Sequence, residues 1–182
     1  MRAMITKMPI PNGRAKISRR GFSLVELIVV MVVTAIIAAV AIPATTPLTS
    51  TRQKIAARQL TRDLGFARER SIATGIRMWV TLSPSADTYT MLQELSTAPG
   101  RASATAFTDP ATGRPFLQQL NFGDFIGVDL STVTIGTGTE IGFDWLGRPM
   151  DSSSTLLSGS GTINISGATI TIHPESGLAT WQ

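Results

Sequence analysis

The stretch from Phe22 to Pro43, FSLVELIVVMVVTAIIAAVAIP, constrains this chain more than any other. Only Ser23, Glu26 and Thr34 interrupt its apolar character, and they give it no polar face. A helix that is apolar all round belongs in a membrane or among other helices. At about 1.5 Å of rise per residue, this run matches a hydrocarbon core of about 30 Å. Glu26 is out of place there, because an unpaired carboxylate in the span costs about 2.5 kcal/mol or more. It marks a functional site and calls for a partner.

The charge distribution orients the span. Residues 1–21 carry Arg2, Lys7, Arg14, Lys16, Arg19 and Arg20 and no acid, so the net positive charge of the chain comes from this leader. The remaining 10 bases face all 12 acids. A basic flank before an apolar span predicts a cytoplasmic N-terminus with the rest carried across the membrane. The overall basicity is therefore no argument for nucleic-acid binding. The absence of cysteine excludes disulfides, zinc-thiolate sites and thiol catalysis.

Three processing routes fit such a leader. A secretory signal would be cut after Ala39-Val40-Ala41, and Ser18-Arg19-Arg20-Gly21-Phe22 partly matches a twin-arginine signal. Neither accounts for Glu26. The segment Gly21-Phe22-Ser23-Leu24-Val25-Glu26 followed by the apolar run resembles the prepilin processing site of type IV pilins and type II secretion pseudopilins. That resemblance implies that a prepilin peptidase cuts between Gly21 and Phe22 and methylates the new N-terminal Phe22. It also implies that Glu26, at the fifth mature position, pairs with the terminal amine of a neighbouring subunit, and that Pro43 bends the helix. Physical chemistry agrees: a carboxylate in a low-dielectric surround is tolerable when paired and hydrogen-bonded, and Gly21 lets the backbone sit close to a protease.

Beyond the span, Pro43 and Pro47 among threonines predict a kink or short break over about residues 43–51. Ala56, Leu60, Leu64, Ala67 and Ser71 then form one face of an amphipathic helix over 52–75, with Gly75 as its stop. Lys54, Arg58 and Arg62 line another face, either as a solvated stripe or as a candidate subunit contact. From Ile76 the period changes to 2. Ile76, Met78, Val80 and Leu82 alternate with Arg77, Trp79 and Thr81, which predicts a half-buried strand paired in a hairpin with Tyr89–Leu95. Residues 96–115 read as a surface loop. Further strands are expected at 116–122, 125–130, 132–135, 140–145, 162–166, 169–173 and 178–181, a spacing that suggests an antiparallel sandwich.

Catalytic and metal signals are weak. The single histidine, His173, lies between Ile172 and Pro174 with no nucleophile elbow in the chain. The glycines of residues 136–142 do not form a dinucleotide-binding fingerprint. Asp124, Asp129, Asp144 and Asp151 lack the spacing of a calcium loop. No catalytic residue, cofactor or metal is expected.

The globular half also resembles the GspH/FimT group of minor pseudopilins and minor pilins, through Phe143-Asp144-Trp145-Leu146-Gly147-Arg148-Pro149 and through Ile170-Thr171-Ile172-His173-Pro174-Glu175-Ser176-Gly177-Leu178. The expected fold is α+β: a long N-terminal hydrophobic helix, pilin-like, packed on a C-terminal antiparallel β-sandwich. The expected organisation is a cleaved cytoplasmic leader (1–21), a transmembrane and assembly helix with a proline kink (22–51), an amphipathic helix (52–75) and a periplasmic β-rich domain (76–182). The resemblance implies a non-enzymatic structural subunit of a type II secretion pseudopilus in the bacterial inner membrane. Its partners would be prepilin peptidase, other minor and major pseudopilins and the inner-membrane assembly platform. A FimT/FimU-type minor pilin, which in some cases takes part in DNA uptake, is the alternative. Residues 170–182 contain no Lys or Arg, which disfavours nucleic acid. An exported hydrolase with a removable signal is a more distant alternative.

Overall fold

The structure is a computed structural model that describes residues 23–41 and 46–182. The predicted leader, the cleavage pair Gly21 and Phe22, and the kink residue Pro43 lie outside the described residues. Two compact units divide the chain, one ending at Pro43 and the other beginning at Ala44.

The first unit holds helix α1, Leu24–Ala41. The second begins with helix α2, Thr46–Thr74, which starts six residues before the position expected from the apolar period. Pro47 does not delay it, because in the first helical turn the missing N–H has no intrahelical acceptor to lose. Gly75 follows the helix with a φ of 69° and donates its N–H to the Ser71 carbonyl at 2.9 Å. A glycine reaches this left-handed conformation without the steric cost a side chain would impose.

Ten strands follow: β1 Met78–Ser83, β2 Thr88–Gln93, β3 Thr105–Ala106, β4 Leu117–Gln119, β5 Leu130–Thr134, β6 Glu140–Phe143, β7 Pro149–Met150, β8 Gly161–Ile165, β9 Ala168–Ile172 and β10 Ala179–Trp181. They form two antiparallel sheets. One runs β3-β2-β1-β6-β7 with β4 also paired to β2, and the other runs β10-β9-β8-β5. The fold is α+β, with a helix packed on antiparallel sheets. Ala56, Leu60, Leu64, Ala67 and Ser71 of α2 are all buried, and the helix lies against strands of both sheets. The core that Ala56, Leu60, Leu64 and Ala67 share with Met78, Val80, Ile141, Phe143, Ile163 and Ile172 therefore runs through both sheets. A further link comes from Tyr89 on β2, whose hydroxyl donates to Asp63 Oδ2 of α2 at 2.6 Å. Burial pushes the Asp63 carboxyl up, against the opposing influence of this hydrogen bond and of Arg62.

Three expectations about the sheets fail. Residues 125–130 do not form a strand: a 3-10 turn at Gly123–Phe125 and a positive φ of 82° at Gly127 break the backbone, and only Leu130 enters β5. Residues 96–115 are more than a loop, since they supply a 3-10 turn at Arg101–Ser103, the edge strand β3 and the buried side chain of Phe107. Trp79, on the face that alternation assigned to solvent, is fully buried. Its indole lies over Gly142, where an added Cβ would stand 2.6 Å from the ring, and its N–H donates to Glu94 Oε1 at 3.1 Å. Arg101 packs above the ring at 5.9 Å and is anchored in turn by two hydrogen bonds to Glu140. Period-2 alternation reports which residues face opposite ways; it cannot report that a distant segment covers the second face.

Candidate assembly site

Helix α1 is apolar apart from Glu26 and Thr34, and every side chain from Ser23 to Ala38 is exposed. Thr34 is satisfied within the helix, its hydroxyl donating to the carbonyls of Val30 at 2.9 Å and Met31 at 3.0 Å. Glu26 sits in the first turn, where the unpaired N–H groups of a helix favour negative charge. Among the described residues its carboxylate takes part in no hydrogen bond or ion pair. Among those residues, too, no helix is long and apolar enough to cross a membrane. The 18 residues of α1 give about 27 Å, slightly less than a hydrocarbon core.

The basic stripe on α2 is less uniform than its spacing suggests. Lys54, Arg58 and Arg62 are all exposed, but Arg58 lies over the Trp181 ring at 5.0 Å, tying α2 to β10. A cation stacked in this way keeps its charge and also packs its planar face.

The two loops singled out in the globular half meet at a residue that the sequence did not reveal. Arg68 of α2 donates from Nε to the Gly147 carbonyl at 3.2 Å and to the Ser176 carbonyl at 2.7 Å. One turn on, Ser71 donates its hydroxyl to the Asp144 carbonyl at 2.9 Å. The β6–β7 turn and the β9–β10 turn are thus fastened to α2 and to each other. Gly177, with a φ of 66°, is buried against Gly147 at this junction.

Asp144 organises the first of these turns. Its Oδ1 accepts the N–H groups of Leu146 at 2.9 Å and Arg148 at 2.8 Å, while Arg148 Nε donates to Oδ2 at 2.8 Å. Burial pushes this carboxyl up, but the Arg148 and Leu146 hydrogen bonds together outweigh it and hold the carboxyl below its ordinary value. Asp144 therefore supports a turn. A group with a depressed folded pKa stabilises above its unfolded pKa of about 3.9, and that stabilisation is lost as the pH falls through the folded value. Urea unfolding of the globular unit should show Asp144→Asn destabilised by about 1–3 kcal/mol at pH 7. The gap between variant and parent should close as the pH falls through the depressed folded value, below the unfolded pKa of about 3.9. A gap independent of pH would show that the carboxylate charge does not hold the turn.

His173 is exposed, and its ring lies 3.4 Å from the Thr180 hydroxyl. Among the described residues no group of three or more metal-ligating side chains converges.

Residues 16–42 match the prokaryotic N-terminal methylation motif. In three dimensions the chain is similar to two solved structures of the minor pseudopilin EpsH from the type II secretion system of Vibrio cholerae. One aligns with a TM-score of 0.53 at 14% identity, covering 71% of this chain and 94% of EpsH. The other has a TM-score of 0.54 at 13% identity, covering 72% and 96%. This chain joins a prepilin-type methylation motif to a pseudopilin fold. A comparison with curated protein sequences gives no match. In this pseudopilin fold, the elements Phe143–Pro149 and Ile170–Leu178 contribute the two loops that Arg68 holds together.

Proposed function

We propose that this protein is a minor pseudopilin: a structural subunit, made as a precursor and assembled through its N-terminal helix into the periplasmic pseudopilus of a type II secretion system. The observation that carries this reading is the methylation motif over residues 16–42, which contains an all-round apolar helix with a carboxylate in its first turn. The EpsH-like fold of the second unit supports the choice of a pseudopilin.

In this reading the precursor sits in the inner membrane as a single-pass protein, with its leader in the cytoplasm and residues from about 44 onward in the periplasm. In sequence the apolar run continues from Phe22 to Ile42, the number of residues a membrane-spanning helix needs. Prepilin peptidase cuts between Gly21 and Phe22 and methylates Phe22. Glu26 then accepts the cationic amine of a neighbouring subunit, and Pro43 lets the helix bend as it leaves the bilayer. The stripe of Lys54, Arg58 and Arg62 remains available to acidic groups on adjacent pseudopilins, with Arg58 already braced by Trp181.

Mass spectrometry of the mature N-terminus tests the reading. The expected product begins at Phe22 and is one methyl group heavier than the bare peptide. A start near Ile42 would instead identify a removable signal peptide. In the host, deletion of the gene should leave secreted proteins trapped in the periplasm, whereas a defect confined to surface pili would assign the subunit to a type IV pilus.

A further inference from the structure

Exposed apolar side chains lie at both ends of α2. Trp145 and Leu146, exposed by 49% and 58%, stand on the β6–β7 turn, whose Gly147 lies beside Ile72 near the end of the helix. Phe122 and Ile126, exposed by 67% and 55%, belong to the other end, on the segment between β4 and β5. Arg52 fixes that segment to α2 by donating to the Ile126 carbonyl at 3.4 Å, and Ile55, 48% exposed, follows one turn on along the same helix face. From Arg52 to Ile72 is about 30 Å of helix axis. The segment is built as a firm wedge. Phe125 and Val128 pack into the core, which holds Phe122 and Ile126 outside it. Its backbone donors are bonded within the unit: the N–H of Phe125 to the Phe122 carbonyl at 3.1 Å, that of Ile126 to Gly123 at 3.3 Å, that of Val128 to Phe125 at 2.9 Å, and that of Gly127 to Asn121 Oδ1 at 3.0 Å. Donors satisfied in this way let a backbone enter an apolar medium without the cost of unmade hydrogen bonds.

We infer that Phe122 and Ile126 form a wedge that enters the interface of the lipid bilayer. The inference rests on the reading of residues 22–42 as a membrane span. Chain length selects the bilayer as the occupant. Only residues 42–45 separate α1 from α2, a reach of about 18 Å at full extension, and Arg52 follows about 9 Å along α2. The end of the unit that carries Phe122 is therefore tethered at the membrane surface, whereas the tether leaves the Trp145 end free to lie about 30 Å further out. Apolar side chains held beside a lipid surface bury in it in proportion to their area. Arg52 and Lys54 bring positive charge to this end, but Asp124 and Asp129, both exposed, offset it. The wedge thus acts through its apolar side chains and does not require anionic lipid.

Two paramagnetic lipids test the wedge and the span separately. Full-length protein, deuterated and ¹⁵N-labelled, is placed at one copy per phosphatidylcholine nanodisc, and broadening of its amide resonances is measured. A lipid with a doxyl group near its chain end should broaden the amides of α1, which reads the span. A lipid with a gadolinium-chelate headgroup should broaden the amides of residues 122–126 severalfold more than that of Leu146. Phe122→Ser combined with Ile126→Ser should remove most of that excess while α1 stays broadened. Both substituted side chains are exposed, so the amide shifts of the buried Leu60 and Ile163 should not move. An excess unchanged in the double variant would show that the tether alone places the segment there, and would overturn the wedge. Broadening of α1 with no excess at residues 122–126 would overturn it too, as would a response seen only when several copies share a disc, which would assign the segment to a neighbouring subunit. Amides of α1 that ignore the doxyl lipid would overturn the span instead, and the wedge with it.

Discussion

Replacing Gly177 by alanine is expected to destabilise the globular unit by about 3 kcal/mol or more. Two costs combine. The φ of 66° places a side chain in the left-handed region, and the added Cβ would overlap the Gly147 carbonyl oxygen while standing 3.3 Å from both Arg68 Cδ and Phe143 Cε1. The overlap cannot be relieved cheaply, because that same carbonyl accepts from Arg68, and moving it breaks the hydrogen bond that fastens the β6–β7 turn to α2. Gly113 provides the control. It has the same φ of 66° but nothing within 4 Å of its added Cβ, so Gly113→Ala should cost only about 1 kcal/mol. Urea unfolding of the two variants separates backbone strain from the close approach. Equal losses would show that the contact with Gly147 contributes nothing.

Glu26→Ala is expected to leave cleavage and methylation at Phe22 intact and to lower incorporation into filaments by about a hundredfold. That corresponds to the roughly 3 kcal/mol lost when one partner of a desolvated ion pair is removed. Immunoblotting of sheared and pelleted filaments measures incorporation, and N-terminal mass spectrometry of the same cells verifies processing. Glu26→Asp, which keeps the charge on a shorter arm, should recover part of the signal. Wild-type incorporation of Glu26→Ala would remove pairing from the assembly mechanism while leaving the processing reading untouched.

Much of the fold could be read from local periodicity. The buried face of α2, from Ala56 to Ser71, follows the helical repeat, and the alternation in β1 marks a strand of which one face meets α2. What escaped was non-local. Arg68 looks like any other base on a cationic helix, because its two acceptors lie 79 and 108 residues further along the chain. Trp79 was assigned to solvent because its cover comes from Glu94, Arg101 and a glycine on the neighbouring strand. The apolar residues Phe125, Ile126 and Val128 suggested a strand, although Gly127 among them takes a conformation strands do not use. Asp144 looked like one scattered acid until the fold placed Arg148 and two backbone N–H groups around it. The N-terminal motif, by contrast, is a linear string, and the methylation motif matches residues 16–42. Glu26 stands out there because its surroundings in the chain are so uniformly apolar.

The placement of α2 against both sheets has a mechanical consequence. Its buried residues run from Ala56 to Ser71, spreading the contact along about 23 Å of helix axis. A pull directed along that axis loads these contacts together in shear, and the Tyr89–Asp63, Arg68 and Ser71 hydrogen bonds share it. A pull across the axis would open them one after another from the end. The globular unit is therefore built to resist a pull along the α2 axis better than one across it.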